Sequence, residues 1–284
     1  MSIEAQERRQ GAAMIAPALL WTLVFFVVPF AAMVLMSLAH LEGREVVQGY
    51  ALDNYLRIFT DPSLRKGIFV SLEITALVTV LSVLLAWPLA WIIASRVPPR
   101  WQRLVLLLAV LPFWTSYVVR SYSWALVLGE KGVVMNVLVG IGLLAEPVQI
   151  MATRAATVIG FTHFFVMLLT LTIYSNLIQL SPNYARAAED LGAPKWKVIW
   201  LVILPLTLPG VMTGAFLTFV LCIGDYITPQ ILGGNNELTM PQLIMLQLGR
   251  RGDFPMASAL SIVLMAIVTL AYLASARWLR MERV

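Results

Sequence analysis

Charge is what this sequence has least of. Only 12% of its 284 residues are Asp, Glu, Lys or Arg, about half the roughly 25% usual for a soluble domain. So few charges cannot solvate a soluble surface of this size while 60% of the residues are hydrophobic. Cysteine is limited to Cys222, which excludes a disulfide scaffold. Histidine occurs only at His40 and His163, far apart, so no Cys/His cluster offers a metal site. There is no Gly-Lys dipeptide, which removes the Walker A phosphate loop, and no Gly-x-Ser-x-Gly nucleophile elbow. The apolar content excludes disorder. An all-α, polytopic integral membrane protein is left, and a mean hydropathy of +0.84 agrees.

A spanning helix needs about 20 mostly apolar residues. Gaps in the charge pattern predict six spans: 13–38, 68–94, 104–128, 155–177, 201–223 and 256–276. Together they make residues 1–284 a single transmembrane domain. The first is too long for a signal-peptide core and has no convincing small-residue cleavage site, so it is read as a retained helix. A further apolar stretch, Val133–Ala145, is too short to cross and carries Gly140 and Gly142. It is expected to be an interfacial or half-buried helix on one side. Pro88 removes a backbone donor in the second span and predicts a bend there.

Six spans place both termini on one side, and Lys and Arg decide which. Segments 1–12, 95–103, 178–200 and 277–284 hold 11 basic and 5 acidic residues. Segments 39–67, 129–154 and 224–255 hold 8 basic and 9 acidic residues in a greater length. The termini are therefore expected in the cytoplasm. The net charge of +5 is a topology signal, and no clustered basic face on a soluble fold points to nucleic acid.

The most informative segment is the inner loop 181–200. Ser181 and Pro182 suit a helix start, and Tyr184, Ala188 and Leu191 share one helical face. Gly192 suits a chain reversal. Pro194 then starts a second helix that feeds the fifth span. Ala187 and Ala188 leave room for a second protein to approach. The pattern alone fits an ordinary loop or a docking element.

The spacing Ala187-Ala188, Gly192, Val202, Leu204-Pro205 resembles the signature loop of ABC importer permeases. That signature reads Glu-Ala-Ala, three residues, Gly, nine residues, Ile-x-Leu-Pro. Its Glu position is Arg186 here, and Glu189 lies one turn further on. Three more stretches are similar to the spermidine/putrescine-type subfamily: Leu111–Trp124 with Gly129-Glu-Lys-Gly132, Ala145–Ile150, and Gly224–Gly234. The resemblance implies a type I ABC importer permease fold in a bacterial inner membrane. It implies partners: two copies of an ATP-binding subunit, a second and different permease subunit, and a periplasmic substrate-binding protein. It implies an ATPase-coupling site at Arg186, Ala187, Ala188, Glu189, Asp190, Gly192 and Ala193. It implies polyamine cargo, or an opine, GABA-like or other amine solute in the same machine. No catalytic residue, cofactor or metal is expected in this chain, whose remaining contact is membrane lipid.

An ionisable group inside a span faces the bundle or a water path by default. Glu73 and Arg120 lie at similar depths, which allows a Glu73–Arg120 pair. Such a pair either ties two helices or lines the translocation path. Asp225 is placed to attract an amine cation or to cap a loop turn. Tyr117, Tyr122, Trp124 and Tyr226 lie at similar depths, where aromatics commonly anchor a span at the interface. Carboxylates and aromatics together would also suit a polyamine. The candidate path residues are thus Glu73, Tyr117, Arg120, Trp124, Asp225 and Tyr226. His163 reads as a hydrogen-bonded core residue, and both histidines are expected on spans. A self-sufficient secondary transporter would need an ion-coupling site and usually internal repeats, and no repeat is evident. A membrane-embedded enzyme would need a convergent nucleophile, base and metal ligands, and none is found.

Overall fold

The computed structural model describes residues 3–43, 45–234 and 237–279. The side chains of residues 3–12 and 277–279 lie outside it, as do Arg44, Arg280, Glu282 and Arg283 of the charge count. Six helical segments among the described residues are long and apolar enough to cross a membrane: Ala13–Ser37, Pro62–Arg96, Tyr117–Gly140, Arg154–Leu177, Lys195–Ile223 and Phe254–Ala276. The protein is nearly all helix, apart from one small hairpin.

The chain divides into two compact units. The first comprises residues 1–62 and 243–265. It opens with α1 (Ile3–Thr22), which runs through a π-helical turn, Leu23–Val27, into α2 (Val28–Ser37). Pro29 explains the wide turn. Its ring displaces the preceding carbonyl and it donates no hydrogen bond, so the ladder loosens one turn earlier. The antiparallel strands β1 (His40–Glu42) and β2 (Glu45–Val47) follow. His40 therefore lies in a hairpin, not on a span. In α3 (Asp53–Thr60), Asn54 donates to the carbonyls of Ser37 at 2.9 Å and Ala39 at 2.7 Å. This satisfies carbonyls that the end of α2 leaves open.

The second unit comprises residues 63–242 and 266–284. Its first long helix, α4 (Pro62–Arg96), continues through Pro88. Next comes α5 (Pro99–Val110), then a 3-10 turn, Leu111–Trp114, and then α6 (Tyr117–Leu128). Thr115 and Ser116 between them are extended, with ψ of 148° and 134°. The expected third span, 104–128, is thus broken at its centre. Pro112 cannot donate into the ladder, and the Thr115 hydroxyl donates to the Pro112 carbonyl at 2.7 Å instead. The segment of spanning length there is Tyr117–Gly140, which takes in α7 (Val133–Gly140), part of the stretch expected to be interfacial or half-buried.

The centre of this unit is α8 (Arg154–Leu177), the most buried of the spans. After it come α9 (Asn183–Asp190) and α10 (Lys195–Val198). A π-helical turn, Ile199–Ile203, joins α10 to α11 (Leu204–Ile223), with Pro205 in the same relation to its turn as Pro29. The fifth span is therefore longer than 201–223 and begins inside the loop. Gly210 and Gly214 set the packing of α11 on α8. A Cβ at Gly210 would stand 2.3 Å from the Asn176 side chain, and one at Gly214 would stand 2.7 Å from Leu169. The two glycines, four apart on one face, let the helices approach closely, which is how helices associate without a hydrophobic driving force. Core clusters join Ala86, Ala90 and Ile93 of α4 to Leu169 and Ile173 of α8, and Val70, Ile74 and Val78 to Phe161, Phe165 and Cys222. The chain continues through α12 (Ile227–Leu232), α13 (Met240–Leu246), a π-helical turn at Gln247–Arg251 and α14 (Phe254–Leu279).

Candidate functional site

Two groups of residues lie along α8, whose 24 residues rise about 36 Å, more than a bilayer core: one just past its C-terminal end, the other beside its middle at His163 and Phe164. At its C-terminal end, α9 carries Arg186, Ala187, Ala188, Glu189 and Asp190 and buries no side chain. The Ser181 hydroxyl accepts from the Asn183 N–H at 3.4 Å, while Pro182 takes the cap position rather than the first helical one. Gly192 adopts φ +82°, a left-handed conformation that suits glycine. Its N–H donates to the Glu189 carbonyl at 2.8 Å, and the Ala193 N–H donates to Ala188 at 3.0 Å. These two bonds form a Schellman motif that ends α9 and turns the chain into α10. Tyr184, Leu191 and Trp196 are exposed around the turn. Leu191, at 89% exposure, has no packing partner that would justify its place in a free-standing loop. Arg186 makes no ion pair among the described residues.

The second group lies where α6, α8 and the start of α12 meet. The Tyr117 hydroxyl donates to Asp225 Oδ2 and accepts from the Thr228 hydroxyl at 2.8 Å. Asp225 Oδ1 accepts from the Ile227 N–H at 2.8 Å. Asp225 thus caps the turn into α12 and at the same time orients Tyr117. Arg120 is buried; its Nη1 donates to the Pro112 carbonyl at 3.3 Å, and its guanidinium lies 4.3 Å from the Phe164 ring centroid. Trp124 Nε1 donates to His163 Nδ1 at 3.2 Å, so His163 is hydrogen-bonded as expected, although it is half-buried at a cavity and not in the core. Tyr226 stands partly exposed at the α12 cap.

Glu73 does not join this group. The expected Glu73–Arg120 pair is absent; Glu73 pairs instead with Arg154 at 2.6 Å. Arg154 also binds Glu237 at 2.6 Å, and Glu237 reaches Lys66 at 3.3 Å. The Arg154 guanidinium, helped by Lys66, holds the Glu237 carboxyl below the usual carboxylate range. This network borders a cavity of about 310 Å³ beside Ala152, Thr153 and Gly233. Glu73 meets α8 at its first residue, Arg154, whereas Arg120 meets it at Phe164, ten residues or about 15 Å further along, so the two are not level.

Tyr117, Arg120 and Asp225 therefore come together, Trp124 shares with Arg120 the wall of a second cavity of about 260 Å³, and Glu73 stands apart. Sequence reasoning missed Phe164, Thr228, Arg154 and Glu237. Phe164 is one of three phenylalanines in Phe161–Phe165, and nothing in the sequence distinguishes one ring from the next. Arg154 and Glu237 are 83 positions apart and entered only as loop charges.

The family model for the binding-protein-dependent transport system inner membrane component matches residues 86–281. The spermidine/putrescine transport system permease protein PotB of Haemophilus influenzae is 30% identical over 256 residues, covering 89% of each chain. The protein of the same name from Escherichia coli is 30% identical over 263 residues, covering 91% of this chain and 95% of that one. A solved bacterial ABC transporter involved in the import of alginate matches with a TM-score of 0.78 at 18% identity, covering 99% of this chain and 98% of that one. A chain of the MetNI methionine ABC transporter, in an inward facing conformation, matches with a TM-score of 0.61 at 17% identity. It covers 77% of this chain and 95% of that one.

Proposed function

This chain belongs to the family of binding-protein-dependent transport system inner membrane components, and from that premise we propose that it carries polyamines. It is a multi-pass inner-membrane permease subunit of an importer. The cargo is spermidine or putrescine, as the names of its 30%-identical relatives suggest. The chain forms half of the translocation path, and a second, different permease forms the rest. Two copies of a separate ATP-binding subunit dock on the α9–Gly192–α10 element from the cytoplasm. A periplasmic binding protein delivers cargo to the opposite face. Both termini lie on the ATPase side, in keeping with the Lys and Arg bias of segments 1–12, 95–103 and 178–200.

One observation carries the coupling assignment. A helix with no buried side chain ends in a closed Schellman turn and presents exposed Tyr184, Leu191 and Trp196. Ordered structure with an uncovered apolar surface is what a partner would cover. The path assignment is supported by the break at Thr115–Ser116. Irregular backbone at membrane depth is tolerated where it is buried in protein or lines a cavity, and transport sites are commonly built there.

The test is reconstitution of this chain with its ATP-binding subunit, partner permease and binding protein in proteoliposomes. ATP-dependent uptake of labelled spermidine or putrescine, stimulated by the binding protein, is the expected result. Uptake by this chain alone under an ion gradient would contradict the proposal. So would a binding protein that thermal-shift screening finds stabilised by opines or amino acids and not by polyamines.

A further inference from the structure

Arg120 is an unusual resident for a cation path. It is a buried guanidinium within a span, and among the described residues it makes no ion pair. Such a charge is costly unless its surroundings replace the lost water. Three features do so. The break in the third span leaves the Pro112 carbonyl available, and Nη1 donates to it at 3.3 Å. The guanidinium carbon lies 4.3 Å from the Phe164 ring centroid and 5.1 Å from that of Tyr117. The Asp225 carboxylate stands one hydroxyl away, bonded to the Tyr117 ring that the guanidinium faces.

Neighbours hold the two rings in place. Phe164 stacks on Phe113 at 5.2 Å and meets Phe165 edge-on at 4.9 Å. Tyr117 is fixed by Asp225 and Thr228. Two oriented aromatic faces, a carbonyl oxygen and a nearby carboxylate make a site for an organic cation. A cavity of about 260 Å³ adjoins it, lined by Thr115, Ser123, Trp124 and His163 as well as by Arg120. The cavity thus reaches both Arg120 and the Pro112 whose carbonyl accepts from it.

We infer that Tyr117, Phe164 and the Pro112 carbonyl form an organic-cation site whose resident occupant is Arg120, and that an ammonium group of the cargo takes its place in passing. The second half rests on the polyamine reading above. While the site is self-occupied, its positive charge also repels small inorganic cations between transport cycles, as fixed charges do in selective pores.

The probe is methylguanidinium, which reproduces the end of the arginine side chain. In the assembled transporter, Arg120→Ala empties the site. Methylguanidinium chloride is expected to raise the unfolding temperature of that variant saturably, with sodium chloride as the control, and to leave the unsubstituted complex unchanged. The double variant Arg120→Ala, Phe164→Leu is expected to lose this response, because the ring is gone. Should Arg120→Ala assemble poorly, recovery of intact complex when methylguanidinium is present during purification is the same readout. In spermidine uptake, methylguanidinium should inhibit Arg120→Ala about tenfold more strongly than the unsubstituted complex, the scale of a partly desolvated cation–π contact.

No stabilisation of Arg120→Ala, or equal stabilisation with Phe164→Leu present, overturns the site. Stabilisation without competition in uptake overturns the role in passage. The stabilisation is read without spermidine, so it is separate from a failure of the unsubstituted complex to transport spermidine, which would refute the polyamine reading.

Discussion

Gly192→Ala isolates the coupling turn in one substitution. A Cβ built at Gly192 meets no atom within 4 Å, so the change brings no clash. Its cost is that of holding an L-residue at φ +82°, in the left-handed region, about 1–2 kcal/mol. Because α9 buries no side chain, the core does not share that cost; it falls on the turn. A difference of about 1–2 kcal/mol changes a population by roughly 5–30-fold. If the ATP-binding subunit docks on this turn as proposed, it must select the competent conformation, and its apparent dissociation constant rises by up to that factor. The assay is titration of the ATP-binding subunit onto the permease in nanodiscs by biolayer interferometry. Gly192→Asn should recover much of the loss, since Asn tolerates left-handed angles, and Gly192→Val should lose more. Thermal unfolding of the permease itself should not change. Binding of Gly192→Ala at the unsubstituted affinity would refute the argument, as would Gly192→Asn binding no better than Gly192→Ala.

Three further outcomes follow from other parts of the molecule. Gly214→Leu forces a side chain into Leu169 and should destabilise the α8–α11 contact by about 1–3 kcal/mol, read as a lower unfolding temperature in detergent. Gly210→Ala should cost less, because the clashing Asn176 side chain can turn away. Glu237 has a depressed carboxyl pKa, so its ion pairs hold above the ordinary carboxylate range and are lost as pH falls through the lowered value. Hydrogen exchange across 150–157 should therefore rise only in strong acid in the unsubstituted protein, and already at neutral pH in Glu237→Gln. The sole cysteine, Cys222, is buried, so an impermeant maleimide should leave the folded protein unlabelled. Single cysteines placed at Ser181 and Glu130 on a Cys222→Ala background should then label from opposite faces of the membrane. Labelling of both from one face would refute the assigned topology.

Much of the fold was legible because a membrane imposes a one-dimensional rule. A span must be apolar for its full length, so the gaps between Arg9 and Glu42, or between Arg154 and Arg186, mark helices without any knowledge of neighbours. The turn between α9 and α10 was legible for a similar reason, since Gly192 and Pro194 act on local backbone angles. The broken third span was not, although Pro112, Thr115 and Ser116 are poor helix formers. Hydropathy adds along a segment and does not register one lost turn. The Glu73–Arg120 pairing failed because depth counted along an unbroken span does not register the break at Thr115–Ser116, and the two side chains meet α8 ten residues apart, at Arg154 and at Phe164.

Sequence alone determined that this chain crosses a membrane, how often, and where an ordered loop interrupts the crossings, because water and lipid act on each segment separately. The partners of its few buried polar groups were decided only by tertiary structure. Arg154 lies between Glu73 and Glu237, and Arg120 lies on the Phe164 ring instead of beside an acid. Those choices depend on helix rotation, set where Gly210 and Gly214 bring α11 against α8 and where the chain breaks at Thr115. The scarcity of charge identified the class of protein. The packed helices gave the buried charges their neighbours.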